Sequence, residues 1–300
     1  MYNQKIIYIY LIVGFVLNKI NIKKVGVVLR PSTPELKSTF FKLEKIFNKH
    51  DIEVYIDSIS AGMIDVMGME FEYLCKQCDI LVTLGGDGTL ISVVRRSLSY
   101  DIPVLGVYAG NLGFLADVGM DELEEFVSNM TKKNCRIDER SVLEATVIKN
   151  GEKIAIHAFN DIVLTRPSIS NMISIETLVD GKAFNTYYGD GVIVSTPTGS
   201  TAYNLSAGGP VLFPLAQVFT LTPICPHSLT QRPVVLPGEF SIEMKTPANP
   251  ALMIVDGQDM HELDIGESVH IRLAKKTAKL IHREEFNYFD VLKEKLGWGE

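Results

Sequence analysis

The apolar positions of the chain fall into two regimes that meet near residue 136. In the first, short unbroken apolar runs alternate with stretches of helical spacing. Val25–Leu29, Val54–Ile56, Ile80–Leu84 and Val104–Val107 read as buried strands. Glu35–Asn48 sets Phe40, Leu43, Ile46 and Phe47 on one side of a helix. Leu90–Leu98 predicts a second helix, and Asp121–Met130 a third with an acidic front. Strands alternating with helices imply parallel β-α-β units. Beyond residue 136 the period becomes two. Val142–Ile148 and Lys153–Ala158 flank Asn150-Gly151, and Ile173–Val179 and Lys182–Asn185 flank Asp180-Gly181, two hairpin signals. Phe240–Lys245, Ala251–Val255 and Val269–Leu273 continue the strand character, with turns at Pro247–Pro250 and Asp256-Gly257. Tyr288–Leu296 returns to helical spacing.

The expected organisation is therefore an α/β domain over residues 23–136, a β-rich domain over 137–276, and a tail helix over 277–300 that packs back on the first domain. A chain of 300 residues, at roughly 100–200 per domain, fits two. Residues 1–22 stand apart. The run Ile6–Leu17 is nearly unbroken apolar sequence. As a helix it rises about 18 Å, short of a bilayer core of about 30 Å. No small-residue cleavage site follows it, and its β-branched and aromatic content suits a strand equally. It is set aside as an apolar N-terminal extension, and no membrane span is expected.

Composition narrows the partners. With 46% hydrophobic and 22% charged residues the chain is an ordinary globular protein. A net charge of −7 lacks the basic footprint of a nucleic-acid binder. Such a chain binds anions through helix N-termini, backbone N–H groups and hydroxyls. Cys75, Cys78, Cys135 and Cys225 make no disulfide framework. Cys75-x-x-Cys78 has no second pair at zinc-site spacing and reads as two thiols near a helix end, which fits a reducing cytoplasm. The six histidines do not cluster. His227 reads as a packing residue, and His157, His261, His270 and His282 as structural. No metal-ligand spacing occurs.

Three segments carry candidate chemistry. Leu81–Ile91 is a strand, a Gly85-Gly86-Asp87-Gly88-Thr89 loop and a helix start. Gly85, Gly86 and Gly88 would let the backbone turn tightly and approach a phosphate. The helix would offer its free N–H groups there, with Thr89 as its cap. No lysine follows, so this is no Walker loop, and the dinucleotide fingerprint G-x-G-x-x-G is absent. Asp87 is an acid in a phosphate loop, placed to orient or deprotonate an attacking hydroxyl or to help hold Mg²⁺; the plainer alternative is a turn residue. The second segment, Asp190–Pro210, runs from a short strand into Ser195, Thr196, Thr198, Ser200, Thr201, Tyr203 and Ser206. Its length for a loop points to ligand binding rather than to a surface connection. The third, Asn160-Asp161, offers donors and acceptors suited to ribose hydroxyls or an amide, or is a turn at a strand start.

Taken together, LGGDGTL at 84–90, NLGFLAD at 111–117, NDIVLTR at 160–166, DGVIVSTPTGSTAYNLSAGGP at 190–210 and PICPHSL at 223–229 resemble the NAD kinase family, the ATP- or polyphosphate-dependent NAD kinases. The likeness runs from about Lys24 to the C-terminus. It implies a Rossmann-like N-terminal domain, a β-sandwich C-terminal domain and NAD bound between them. It also implies transfer of a phosphoryl group to the adenosine 2′-hydroxyl of NAD, giving NADP. Carried over by motif, Asp87 would activate that hydroxyl and Gly88 would line the phosphate loop. Asn160 and Asp161 would bind the dinucleotide. Asp190, Thr198, Thr201, Ala202, Tyr203, Asn204, Leu205 and Ser206 would contact NAD, with Asp190 reaching toward a neighbouring subunit's site. Tyr188, Asn171 and Gln258 fall where the family varies. The resemblance further implies Mg²⁺ as the nucleotide's partner and a homo-oligomer, dimer or tetramer. Two rivals remain: a GGDG-type lipid kinase, favoured only by the N-terminal apolar run, and a non-catalytic NAD-binding protein, disfavoured by Asp87.

Overall fold

The computed structural model describes residues 15–18 and 21–299, apart from 111, 133–134, 150–151 and 169–170. Two compact units emerge: Met1–Glu139 together with Ala278–Glu300, and Arg140–Thr277.

The first unit is built on a sheet with spatial order Phe15–Asn18, Cys135–Arg140, Ala278–His282, Val104–Tyr108, Ile80–Gly85, Lys24–Leu29 and Glu53–Ile56, with Val118–Gly119 paired to Val104–Tyr108. The pairings among its alternating β-α elements are parallel. Helices cover both faces, as continuous apolar strands require. Ile80, Val82 and Leu84 face one core with Phe40, Leu43 and Phe47 of the helix Lys37–Asn48 and with Phe126 and Val127 of Leu123–Lys132. Leu81 faces the other way, where a Cβ at Gly26 would lie 2.7 Å from Leu74 of the helix Phe71–Gln77. This helix and Ser58–Ile64 are only seven residues each, too short for periodicity to reveal.

Two corrections concern the chain ends. Phe15–Asn18, within residues 1–22 set aside as an extension, pairs antiparallel with Cys135–Arg140 at the sheet edge; the apolar run before Phe15 lies outside the described residues. The tail is more than a helix. Before Tyr288–Leu296, Ala278–His282 enters the sheet and pairs in parallel with Val104–Tyr108. Its apolar signal is two residues long, and its anchor is polar. His282 is 1% exposed, with Nδ1 3.3 Å from Asp117 and Nε2 3.7 Å from Asp138, and its ring stacks on Phe286 at 4.2 Å. Arg136 closes the cluster by donating to Asp138 at 2.7 Å and to the Phe286 carbonyl at 2.7 Å. Buried charges such as those of Arg136 and Asp138 persist when paired and hydrogen-bonded.

The second unit is a β-sandwich. One sheet has the order Val234–Pro237, Val218–Ile224, Gly191–Ser195, Asp161–Thr165, Ala251–Val255 and Asp259–Leu263. The other runs Lys182–Gly189, Ile173–Val179, Ser241–Lys245, Ser268–Leu273, Leu143–Lys149 and Glu152–Ala158. Alternate residues of both sheets, among them Ile162, Leu164, Val192, Val194, Ile175, Met244 and Ile271, form one core. The opposite face of the first sheet is also covered: Val163, Ile193, Ile224 and Ile254 pack with Ala207. That second cover explains why Gly191–Ser195 is apolar without alternation. The two expected hairpins pair as strands; the turn Asn150-Gly151 lies outside the described residues.

Candidate active site

Asp87 opens the site in the first unit. The strand Ile80–Gly85 is buried throughout, and the helix that follows spans Asp87–Ser97, three residues earlier than helical spacing suggests, with Gly86 as its N-cap. No side chain caps it. Thr89 is buried in the first turn instead, and its Oγ1 fills the space a Cβ on Gly85 would take, 2.6 Å away. Gly85, Gly86 and Gly88 all have ordinary negative φ, so close packing and open space, rather than a left-handed turn, account for them. Gly86 and Gly88 have nothing within 4 Å of a built Cβ, the clear approach a phosphate would need.

The half-buried Asp87 side chain turns toward residues 113–116. Its Oδ2 accepts from the Phe114 N–H at 2.7 Å, and its Oδ1 from Leu115 and Ala116 at 3.2 and 3.3 Å. A Cβ on Gly113 would sit 2.0 Å from Oδ1. The segments LGGDGTL and NLGFLAD are thus one structure, the second cradling the acid of the first. Asp117 at its end leaves the site and serves the His282 cluster. Nothing in the spacing of the two segments announces this connection.

In the second unit, Asn160 and Asp161 start the strand Asp161–Thr165. Asp161 lies on the Val163 side of the sheet, the side against which Ala207 packs, and is 4% exposed. The sequence reading missed Asp256, taken only as a turn residue. Asp256 has φ 51°, and its carboxylate accepts from the N–H groups of Asn160 at 2.7 Å, Phe159 at 2.8 Å and Asp161 at 2.9 Å. Burial first, and the Asp256 charge second, push the Asp161 carboxyl up to about 7. Gly199 fits against the Asn160 carbonyl, 2.1 Å from where its Cβ would be.

The hydroxyl-rich segment is not an open loop. It folds into a 3₁₀ turn at Thr198–Thr201 and a short helix at Tyr203–Ser206. Many of its polar groups face inward. Thr196 Oγ1 donates to the Phe159 carbonyl at 2.7 Å, and Ser200 Oγ to the Pro197 carbonyl at 2.7 Å. Asn204, expected to contact the ligand, is completely buried. Its amide donates to the Ser200 and Pro210 carbonyls at 3.1 and 3.0 Å and accepts from Thr220 and Thr222 at 3.0 and 2.7 Å. It has no capacity left for a ligand. By contrast, Thr198 Oγ1 and Asn160 Oδ1 are buried with no partner among the described residues. Tyr203 and Ser206 are exposed and Thr201, Ala202 and Leu205 are half-buried. The Tyr203 phenol is raised by burial, then by Cys225, Asp190 and Asp161. Asp190 pairs with Arg166 at 3.1 Å, a partner not singled out from sequence. Tyr188 is exposed and meets His227 edge-on at 6.0 Å, so His227 is a surface group rather than a core one. Asn171 and Gln258 are exposed.

Among the described residues no cluster of three His, Cys, Asp or Glu could hold a metal. Nor is any described helix long and apolar enough to cross a membrane.

Two family descriptions match the chain: the ATP-NAD kinase N-terminal domain over residues 25–134 and the ATP-NAD kinase C-terminal domain over 159–283. An NAD kinase of Sulfurimonas denitrificans is 69% identical over 283 residues, 94% of this chain and 99% of that protein. One of Wolinella succinogenes is 49% identical, covering 93% and 97%. Among solved structures, yeast NADH kinase complexed with NADH superposes with a TM-score of 0.86 at 27% identity, over 93% of this chain and 89% of that one. An Archaeoglobus fulgidus NAD kinase in complex with ATP shares the fold, with a TM-score of 0.74 at 24% identity over 91% and 98%. On these matches the chain belongs to the NAD kinase family, kinases that phosphorylate NAD.

Proposed function

We propose that the chain transfers the terminal phosphoryl group of ATP to the 2′-hydroxyl of the adenosine ribose of NAD, giving NADP, with Asp87 as the acid that meets that hydroxyl. The observation that carries this is the Asp87 carboxylate at the start of Asp87–Ser97, held by three backbone N–H groups in one orientation. Phosphoryl transfer asks the protein chiefly for positioning and charge stabilisation. A carboxylate fixed by main-chain donors, with lone pairs to spare, orients a hydroxyl for in-line attack. The unpartnered Thr198 hydroxyl and Asn160 carbonyl support a polar ligand at the second unit. Tyr203, Asp190, Tyr188, Ala202, Leu205, Ser206, Thr201 and Gln258 are the accessible or half-buried groups of the same reading.

A divalent cation bound with the nucleotide would neutralise charge on its phosphates. The carboxylate available to meet it beside the glycine loop is Asp87, and no cage of protein ligands is needed. Free thiols at Cys75, Cys78, Cys135 and Cys225 support a reducing, cytoplasmic setting. Assembly into a dimer or tetramer completes the reading.

The test is direct. Purified protein is incubated with NAD, Mg²⁺ and either ATP or polyphosphate, and NADP is measured with an NADP-specific dehydrogenase. NADP formation that is lost in Asp87→Asn supports the assignment. No NADP with either donor refutes it.

A further inference from the structure

Two carboxyls face each other at the start of Asp161–Thr165, and they are treated differently. Asp256, on the turn after Ala251–Val255, receives three main-chain N–H groups, from Phe159, Asn160 and Asp161. Asp161 is 4% exposed, and no protein donor reaches its carboxyl among the described residues. Main-chain donors favour an ionised carboxylate, whereas burial beside a like charge favours a protonated one. The asymmetry therefore decides which of the two holds the negative charge.

We propose that Asp256 is the positioning residue of the Asn160-Asp161 motif: it locks the main chain of 159–161 and places a fixed negative charge beside Asp161, so that Asp161 meets the dinucleotide as a neutral carboxyl donating a hydrogen bond. This rests on the functional reading above and adds a protonation state to it. In use, the carboxyl O–H donates to an acceptor atom of the dinucleotide, and its carbonyl oxygen is free to accept a ribose hydroxyl. Ionisation removes the donor and sets a negative charge against a ligand that carries phosphates.

The other groups facing this position are accounted for. From the covering helix comes Tyr203, whose phenol is raised and stays neutral at these pH values. From the end of Lys182–Gly189 comes Asp190, already paired with Arg166 at 3.1 Å. The Cys225 thiol, at the end of Val218–Ile224, acts on Tyr203, and Ser195 lies opposite Asp161 on the neighbouring strand. Among the described residues, Asp256 is the one charge that acts on Asp161. Consistent with this, the Asp161 carboxyl is pushed up to about 7, by burial and then by Asp256.

The experiment has two independent arms. In the first, the aspartate side-chain carboxyls are labelled with ¹³C and titrated without ligand, Asp161 being assigned by its absence in Asp161→Asn. A midpoint near neutrality that falls in Asp256→Asn is expected; a midpoint in the ordinary carboxylate range overturns the proposal whatever the ligand does. In the second arm, NAD affinity is measured by calorimetry from pH 6 to 8. Wild-type affinity should weaken about tenfold across that range, as the protonated fraction does. Asp161→Asn keeps an N–H donor and should bind with little pH dependence, more tightly than wild type at pH 8. Wild-type affinity that is flat with pH overturns the donor role. Absence of NAD binding at every pH, with the NMR midpoint near neutrality, instead refutes the proposed function.

Discussion

Asn204→Ala separates two roles that a motif cannot tell apart. A ligand contact would cost nothing in the unliganded protein and would raise KM. The structure places Asn204 at 0% exposure with four hydrogen bonds at 2.7–3.1 Å. Truncation strands two carbonyls and removes the shared acceptor of Thr220 and Thr222, whose hydroxyls are themselves buried. A buried polar group left without its partner costs about 1–3 kcal/mol. Two carbonyls and one threonine hydroxyl left unsatisfied, the other hydroxyl turning to a neighbour, give about 4 kcal/mol after partial relaxation. In a unit of this size that lowers the melting temperature by about 10 °C. The assay is urea and thermal unfolding of the unliganded protein, followed by steady-state kinetics with NAD on the folded fraction. Asn204→Asp is the companion: it keeps both threonine bonds but turns a charge against two carbonyls, so it should be no less damaging. A stability loss below about 1 kcal/mol, with a large rise in KM, would refute the reasoning and restore Asn204 as a ligand contact.

Three further outcomes are expected. Asp87→Asn should lower kcat by about 10²–10⁴-fold while NAD binding by calorimetry stays close to wild type. Gly113→Ala would drive a methyl to 2.0 Å from the Asp87 carboxylate; turnover should fall steeply while NAD affinity and the circular dichroism spectrum stay near wild type. Asp161 should also tilt stability against pH. The native chain keeps that proton up to about pH 7, whereas the unfolded chain releases it near 3.8, the ordinary value for an aspartate. The native state thus binds more protons across this window, and its stability falls as pH rises through it, by about 4 kcal/mol in all and no further above it. Urea midpoints of Asp161→Asn should lack that slope, and parallel slopes in the two proteins would contradict it.

Much of the fold was legible because its cause is local. Ile80–Leu84 is continuous apolar sequence because helices cover both faces, and Tyr288–Leu296 shows its helical spacing in the sequence, the structure adding an Asn287 cap. The return strand was not, because what fixes Ala278–His282 is a buried histidine between two aspartates far away in sequence. At the site, Asp87 and Asn160-Asp161 stood out as residue types beside glycine or strand boundaries. The hydroxyls of 195–206 could not be sorted from sequence, since a buried hydroxyl fastening a turn, as in Thr196 and Ser200, has the same composition as one offered to a ligand. Asp256 was hidden for a related reason: an Asp-Gly turn is ordinary, and only the three amides gathered on it mark it as special.

The strand Ala278–His282 also bears on how the chain is made. It sits between Cys135–Arg140 and Val104–Tyr108, so the first unit lacks an inner strand of its sheet until Ala278–His282 has left the ribosome. The second unit is contiguous, Arg140–Thr277, and holds all of its own strands. Translation would ordinarily let the N-terminal domain finish first. Here the order is reversed: the sandwich is the earliest part that can be complete, while the sheet bearing Asp87 waits open with two unpaired edges. A message truncated shortly before codon 278 would therefore yield a finished sandwich attached to a sheet that cannot close.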